Sequence, residues 1–290
     1  MDPKAIVMGM AFAFMWSSAF TSARIIVASA PPMTSLALRF LISGLIAVGI
    51  ARALGQSWRL TPSQWRATLI FGICQNALYL GLNFVAMQTV EAGLASIIAS
   101  SMPLVVAFAG WAIYGRRLPP LAWAGLGAGL AGVALIMGAR LSGGADLFGL
   151  LLCVLGVIAL ALATLSVSNA TSGGNVLMIV GLQMLVGAVV LAIPGALFEE
   201  LQAELSPRVV LAFIYTTLIP GLAATFVWFL LVNRIGPVRA ATFHFLNPVF
   251  GVAIAAVVLG EPMTLLDGVG VAIIMVGILA VQMSRPGPTR

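Results

Sequence analysis

The chain consists of ten long apolar stretches, and the last five echo the first five. The stretches cover about 5–27, 33–52, 67–87, 93–114, 119–138, 147–169, 176–197, 209–232, 240–259 and 264–283. Shifted by 145 positions, Ala95 falls on Ala240, Pro103 on Pro248, Gly115 on Gly260, Gly125 on Gly270 and Gly132 on Gly277, and Phe84 falls on Phe229. A half with five crossings returns the chain to the opposite side of a bilayer, so a second copy of it must lie upside down. We therefore expect an all-α polytopic membrane protein with ten transmembrane helices, built as two inverted five-helix repeats over 1–146 and 147–290. Inverted repeats build carriers whose substrate site lies at the seam between the halves.

Composition supports lipid as the solvent. The 290 residues are 61% hydrophobic and 8% charged, where a soluble domain carries about 25% charged residues. Each crossing takes roughly 20 apolar residues, which leaves short loops and no room for a soluble domain. Hydrocarbon offers no hydrogen bonds, so each span should be a helix; a barrel would show short alternating segments instead. The net charge of +6 is distributed as a topological signal. Arg52, Arg59 and Arg66 follow the second span, Arg116 and Arg117 the fourth, and Arg234 and Arg239 the eighth. Arg285 and Arg290 form the tail, and Lys4 precedes the first span. The opposite loops hold Arg140 and Arg208 with Glu91, Asp146, Glu199, Glu200, Glu204 and Glu261. The positive-inside rule then places both termini in the cytoplasm. No long loop or helix clusters the basic residues, so no nucleic-acid partner is expected.

Residues 5–27 read as a retained span, since the apolar run exceeds a signal-peptide core. Cys74 and Cys153 fall inside spans and read as small packing residues. The run Gly127-Ala128-Gly129-Leu130-Ala131-Gly132 spells a dinucleotide fingerprint, but that motif works only at a strand-to-helix turn; mid-span it reads as close helix packing. Asn169-Ala170-Thr171 fits a glycosylation sequon on the cytoplasmic side, where it would not be used. Residues 198–208 suggest a short amphipathic surface helix.

Polar groups in hydrocarbon are expensive and mark functional sites by default. Gln75, Tyr79 and Asn83 recur at a spacing that shares one helix face, with Asn76 beside them. Ser96, Ser100 and Pro103 share a face in the fourth span, and His244, Asn247, Pro248 and Gly251 in the ninth. Ser17, Thr21 and Arg24 share one in the first, with Trp16 alongside; the eighth adds Thr217, Pro220, Gly221 and Trp228. The expected substrate-binding set is Trp16, Ser17, Thr21, Gln75, Asn76, Tyr79, Asn83, Ser100, Trp228, His244 and Asn247. Trp16, Tyr79, Trp228, Phe243 and Phe245 together suggest an aromatic wall. Pro103, Pro220 and Pro248 are hinge candidates because proline removes a donor and kinks a helix; a static kink satisfied by a nearby hydroxyl is the competing reading. His244, the one histidine, is expected to line the cavity; proton coupling would need a titrating partner, and metal binding lacks other ligands. For Arg39 a structural role, bonding helix-end carbonyls, is favoured; for Arg24, access to the cavity mouth competes with snorkelling. No cofactor, obligatory protein partner or catalytic constellation is evident.

Met15-Trp16-Ser17-Ser18-Ala19-Phe20, Ala37-Leu38-Arg39-Phe40, the paired Pro103 and Pro248, and Leu259-Gly260-Glu261-Pro262-Met263-Thr264 together resemble the EamA-type carriers of the drug/metabolite transporter superfamily, along nearly the whole chain. One departure is Arg116, where the first copy has no counterpart of Glu261. The resemblance implies small-molecule transport and looks most like the branch exporting aromatic and other neutral amino acids. With no deeply embedded acid in view, a neutral or zwitterionic substrate moving by facilitated diffusion in the bacterial inner membrane is expected. Multidrug export and proton antiport through His244 are the competing modes. One histidine, few acids, no metal cluster and no catalytic loop argue against a membrane enzyme, and a non-transporting scaffold would leave the polar stripes unexplained.

Overall fold

The computed structural model describes residues 3–114, 118–167, 175–235, 240 and 242–284. Arg116, Arg117, Arg239, Arg285, Arg290 and the 169–171 sequon lie outside the described residues, as do the side chains of Arg140 and Phe245. Among the described residues every regular element is helical. We number the helices α1 (Pro3–Val27), α2 (Pro32–Ala53), α3 (Pro62–Ala86), α4 (Ala92–Ala99 and Met102–Tyr114), α5 (Pro120–Ser142), α6 (Leu147–Val167), α7 (Val176–Phe198), α8 (Pro207–Ile235), α9 (Asn247–Leu259) and α10 (Leu265–Met283). Eight helices are long and apolar enough to cross a membrane, and α9 and α10 are shorter apolar helices. The protein is a multi-pass integral membrane protein.

Helix starts follow local chemistry. Pro32, Pro62 and Pro207 occupy first turns, where the missing N–H costs nothing. Thr61 with Gln64 and Thr264 with Asp267 close reciprocal capping boxes at α3 and α10. Two loop acids cap helices distant in sequence. Glu199 accepts the Met33 and Thr34 amides at 2.7 and 2.8 Å at the start of α2. Glu261 accepts the Ala92 and Gly93 amides, both at 2.8 Å, at the start of α4. A carboxylate there meets free amides and the positive end of the helix dipole. Asp146 is held below the ordinary carboxylate range by the Thr89 hydroxyl first, then by the amides of Gly149 and Phe148. It closes the loop into α6.

The interruptions recur at equivalent places. A wider, π-type coil occupies Gly72–Tyr79 in α3 and Thr217–Ala223 in α8, starting at positions 145 apart. α4 breaks at Ser100–Ser101 and resumes at Met102; a 3₁₀ turn, Thr242–Leu246, precedes α9 at Asn247, again 145 apart. Pro103 and Pro248 therefore sit in first turns of helical pieces, not at mid-helix kinks. Each break lies in the turn before its proline, which has no N–H to bond that turn and whose ring crowds the carbonyl four residues back.

Packing pairs off in the same way. α2 packs on α7, α5 on α10 and α4 on α9, while α1 packs on α8 as α6 packs on α3. The α5–α10 seam is lined with glycine. A Cβ on Gly125 would lie 2.6 Å from the Gly277 carbonyl, one on Gly277 2.6 Å from the Gly125 carbonyl, and one on Gly132 3.0 Å from the Gly270 carbonyl. The fingerprint-like run is thus a packing surface, and Gly127 faces open space. Cys74 and Cys153 are free thiols. Residues 199–206 form no helix, against the amphipathic-helix expectation. Glu204 instead donates its amide to the Ser29 carbonyl at 2.8 Å, Glu199 is engaged in capping α2, and Ser206-Pro207 starts α8.

Gly277→Leu should lower the melting temperature of purified protein in detergent, because overpacking costs about 1–3 kcal/mol. Gly127→Leu, on the same motif, should leave it unchanged. Thermal size-exclusion chromatography of both variants checks this.

Candidate functional site

Trp16 divides two cavities in the bundle interior, and it lines both. On the side of Phe12, a narrow cavity is bounded by Phe12, Trp16, Phe71, Gln75, Leu160, Thr164, Thr225, Trp228, Val232 and His244. Towards Phe20 and Ala23, a second narrow cavity is bounded by Trp16, Arg39, Tyr79, Leu80, Asn83, Phe84, Met87 and Pro220, among others. Among the described residues no acid lines either.

The two cavities draw on equivalent positions. Ala19, Leu80, Asn83 and Met87 of the second correspond at the 145-residue offset to Thr164, Thr225, Trp228 and Val232 of the first; Gln75 of the first corresponds to Pro220 of the second. The same scaffold positions thus carry different side chains, most plainly the Trp228 indole in the first cavity where the second has the Asn83 amide.

The first cavity is an aromatic cluster around the imidazole. Ring centroids lie 4.8 Å apart for Phe12–Trp228, 4.9 Å for Trp228–His244, 5.1 Å for Phe12–His244 and 5.5 Å for Phe12–Trp16. His244 meets Phe12, Trp16 and Trp228 edge to face, a favourable arrangement of aromatic quadrupoles. A relay fixes the ring. Ser17 Oγ donates to Asn247 Oδ1 at 3.3 Å, and Asn247 Nδ2 lies 3.0 Å from His244 Nδ1. With Asn247 Nδ2 facing the ring, Nδ1 accepts in the tautomer that carries its proton on Nε2. The single Ser17 proton is shared with the Asn247 carbonyl, also at 3.3 Å, and Ser96 donates to that carbonyl at 3.1 Å. This ties α1 and α4 to the start of α9.

In the second cavity Arg39, 3% exposed, donates from Nε to the Thr216 carbonyl at 3.1 Å. Ser43 donates to the Thr217 carbonyl at 3.1 Å. Pro220 has no N–H to offer the coil before it, so α2 supplies the donors that α8 lacks. This agrees with the structural role expected for Arg39 and shows the Pro220 interruption as a satisfied one. Arg39 nevertheless keeps Nη1 without a partner. The Tyr79 hydroxyl beside Trp16 has no hydrogen bond of ordinary geometry, and Asn83, whose Nδ2 donates to the Tyr79 carbonyl at 2.8 Å, leaves Oδ1 unpartnered.

Of the expected site residues, Trp16, Gln75, Trp228 and His244 meet in the first cavity, and Trp16, Tyr79, Asn83 and Pro220 in the second. Ser17 and Asn247 support His244 from behind. Asn76 lies elsewhere: its amide donates to the Gln183 carbonyl at 2.9 Å and its Cβ packs on Gly187, because the wider coil of α3 turns it towards α7. Ser100 is buried and returns its hydroxyl to the Ser96 carbonyl at 2.7 Å, satisfying the α4 break. Thr21 is buried with an unpartnered hydroxyl and lines neither cavity. Pro103 and Pro248 lie outside both linings. Phe243 lies over Gly9 of α1, away from the expected aromatic wall. Arg24 donates to the Met87 carbonyl at the end of α3, beside the second cavity that Met87 lines. Sequence reading missed Phe12, one turn from Trp16 on the same face. It also missed Gln183, a lone amide in the apolar α7 whose side-chain atoms lack partners.

The sequence model of a family described as EamA-like transporters matches twice, over residues 3–138 and 147–283. The chain belongs to the EamA-like transporter family. It is 26% identical over 269 residues to the uncharacterized transporter YvbV of Bacillus subtilis, covering 92% of this chain and 88% of the relative. It is 27% identical over 275 residues to the uncharacterized inner membrane transporter YedA of Escherichia coli K12, covering 93% and 88%. A crystal structure at 21% identity superposes with a TM-score of 0.70, covering 97% of this chain and 96% of that one, which shows the fold.

Asn76→Ala should weaken folding by about 1–3 kcal/mol, the cost of a lost buried hydrogen-bond partner, while the folded fraction keeps its substrate affinity. Trp228→Ala should lower the substrate affinity of the folded fraction. Melting curves beside binding titrations on the two variants separate these outcomes.

Proposed function

We propose that this membrane transporter exports small neutral or zwitterionic metabolites, specifically amino acids with aromatic ones included, across a bacterial-type inner membrane by alternating access. In this reading the ten helices form two inverted repeats, 1–146 and 147–290, with both termini cytoplasmic, rocking about the cavities beside Trp16. The observation that carries it is an uncharged chamber walled by Phe12, Trp16, Trp228 and His244. Such a wall suits flat apolar side chains by offset or edge-on contact, and Gln75 and Thr225 supply neutral polar contacts. The absence of acids from both linings disfavours exchange of a proton against a cationic drug, which relies on a buried carboxylate.

Counterflow in proteoliposomes against a panel of amino acids, lipophilic cations and phosphorylated sugars tests the assignment. Neutral amino acids should exchange and the other classes should not. The initial rate should be independent of an imposed proton gradient. A strong dependence would overturn facilitated diffusion and make His244 a coupling group, and exchange of lipophilic cations alone would make the protein a multidrug exporter. Trp228→Ala should raise the half-saturation concentration for aromatic amino acids about tenfold, since a lost aromatic stack with its buried area is worth about 1–2 kcal/mol.

A further inference from the structure

Three buried polar atoms on one cavity wall lack partners: Arg39 Nη1, the Tyr79 hydroxyl proton and Asn83 Oδ1. Two are donors and one is an acceptor. A guanidinium is always charged, and a buried charge without a counter-ion is costly. Nothing acidic lines this cavity. The described acids nearest in role, Glu199 and Glu261, are engaged at the starts of α2 and α4. Carbonyl satisfaction at the Pro220 interruption uses Nε alone. Arg39 Cζ also lies 5.0 Å from the centre of the Phe40 ring, a contact with the face of the guanidinium that gives Nη1 no acceptor.

We propose that this cavity is the head-group subsite of the transporter, in which Arg39 and Tyr79 bind the carboxylate of the substrate and Asn83 Oδ1 accepts from its ammonium group. The subsite rests on the amino-acid reading above and narrows it: cargo must carry a free carboxylate. Trp16, common to both cavities, is then the surface on which an aromatic side chain lies while the head group sits by Arg39. Phe12 and Phe20, which bracket the two cavities on α1, lie roughly 12 Å apart at 1.5 Å per residue. A single amino acid reaches across Trp16 within that length.

The test uses purified full-length protein, both reconstituted and in detergent. In counterflow of L-phenylalanine, unlabelled L-phenylalanine should compete at least tenfold better than L-phenylalaninamide or phenethylamine, which lack the carboxylate. Tyr79→Phe, which removes one oxygen and leaves packing intact, should weaken phenylalanine about five- to tenfold and leave the amide unchanged. Arg39→Gln should abolish the discrimination, and Arg39→Lys should restore part of it. Equal competition by the amide in the wild type, or unaltered discrimination in Tyr79→Phe and in folded Arg39→Gln, overturns the proposal. A second readout separates it from the transport assignment. If no amino acid exchanges, thermal protection by millimolar 3-phenylpropionate in wild type but not in Tyr79→Phe still upholds the carboxylate subsite, and its absence in both rejects it.

Discussion

Every backbone amide and carbonyl inside hydrocarbon must find a partner within the protein, and the interior of this bundle is arranged around the places where helices cannot supply one. Regular helix satisfies itself. The α8 coil interrupted by Pro220, the break in α4 and the 3₁₀ turn before α9 do not. At each, side chains from another element or the same turn take over. Arg39 and Ser43 of α2 reach the carbonyls of Thr216 and Thr217. Ser100 and Ser101 return to the carbonyls of Ser96 and Ile98. Ser17 and Ser96 meet at the Asn247 carbonyl. Irregular backbone at membrane depth is tolerated only where protein or a cavity surrounds it. The cavities lie beside the π-type coils of α3 and α8: Gln75 and Tyr79 belong to one and Pro220 to the other.

The helices were legible because long apolar runs in lipid have one solution, and the observed starts follow the apolar limits except at α3, which begins earlier, at Pro62, and α9, which begins later, at Asn247 after the 3₁₀ turn. The 145-residue echo also located features at no resolution a propensity scale offers. Breaks at Met102 and Asn247 and coils at Gly72 and Thr217 keep the offset. The coil in α3 itself was illegible. It contains no proline, and its widening depends on contact with α7, where Gly72 and Gly187 admit close approach. That widening is also why Asn76, adjacent to Gln75 in the chain, faces a neighbouring helix instead of the chamber.

Side-chain roles were legible only where chemistry and face agreed. Tyr79 and Asn83 share a helix face and do share a cavity. Gln75, on the same nominal face, opens into the other cavity, because helix periodicity carries no information about the Trp16 ring between them. The loop acids read only as an orientation signal. Glu199 and Glu261 act as caps on helices more than 160 residues away in sequence, a pairing that no local pattern encodes.

The α5–α10 seam carries a further consequence. Where Gly125, Gly132, Gly270 and Gly277 bring main chain against main chain, each helix also sets an isoleucine into the other, Ile274 over Gly132 and Ile136 over Gly270. A toothed joint of this kind resists separation, since its close dispersion contacts vanish with distance, and it resists lengthwise sliding, since each isoleucine would have to leave the hollow that a glycine provides. α5 and α10 are thereby suited to travel together as a single strut at one edge of the bundle.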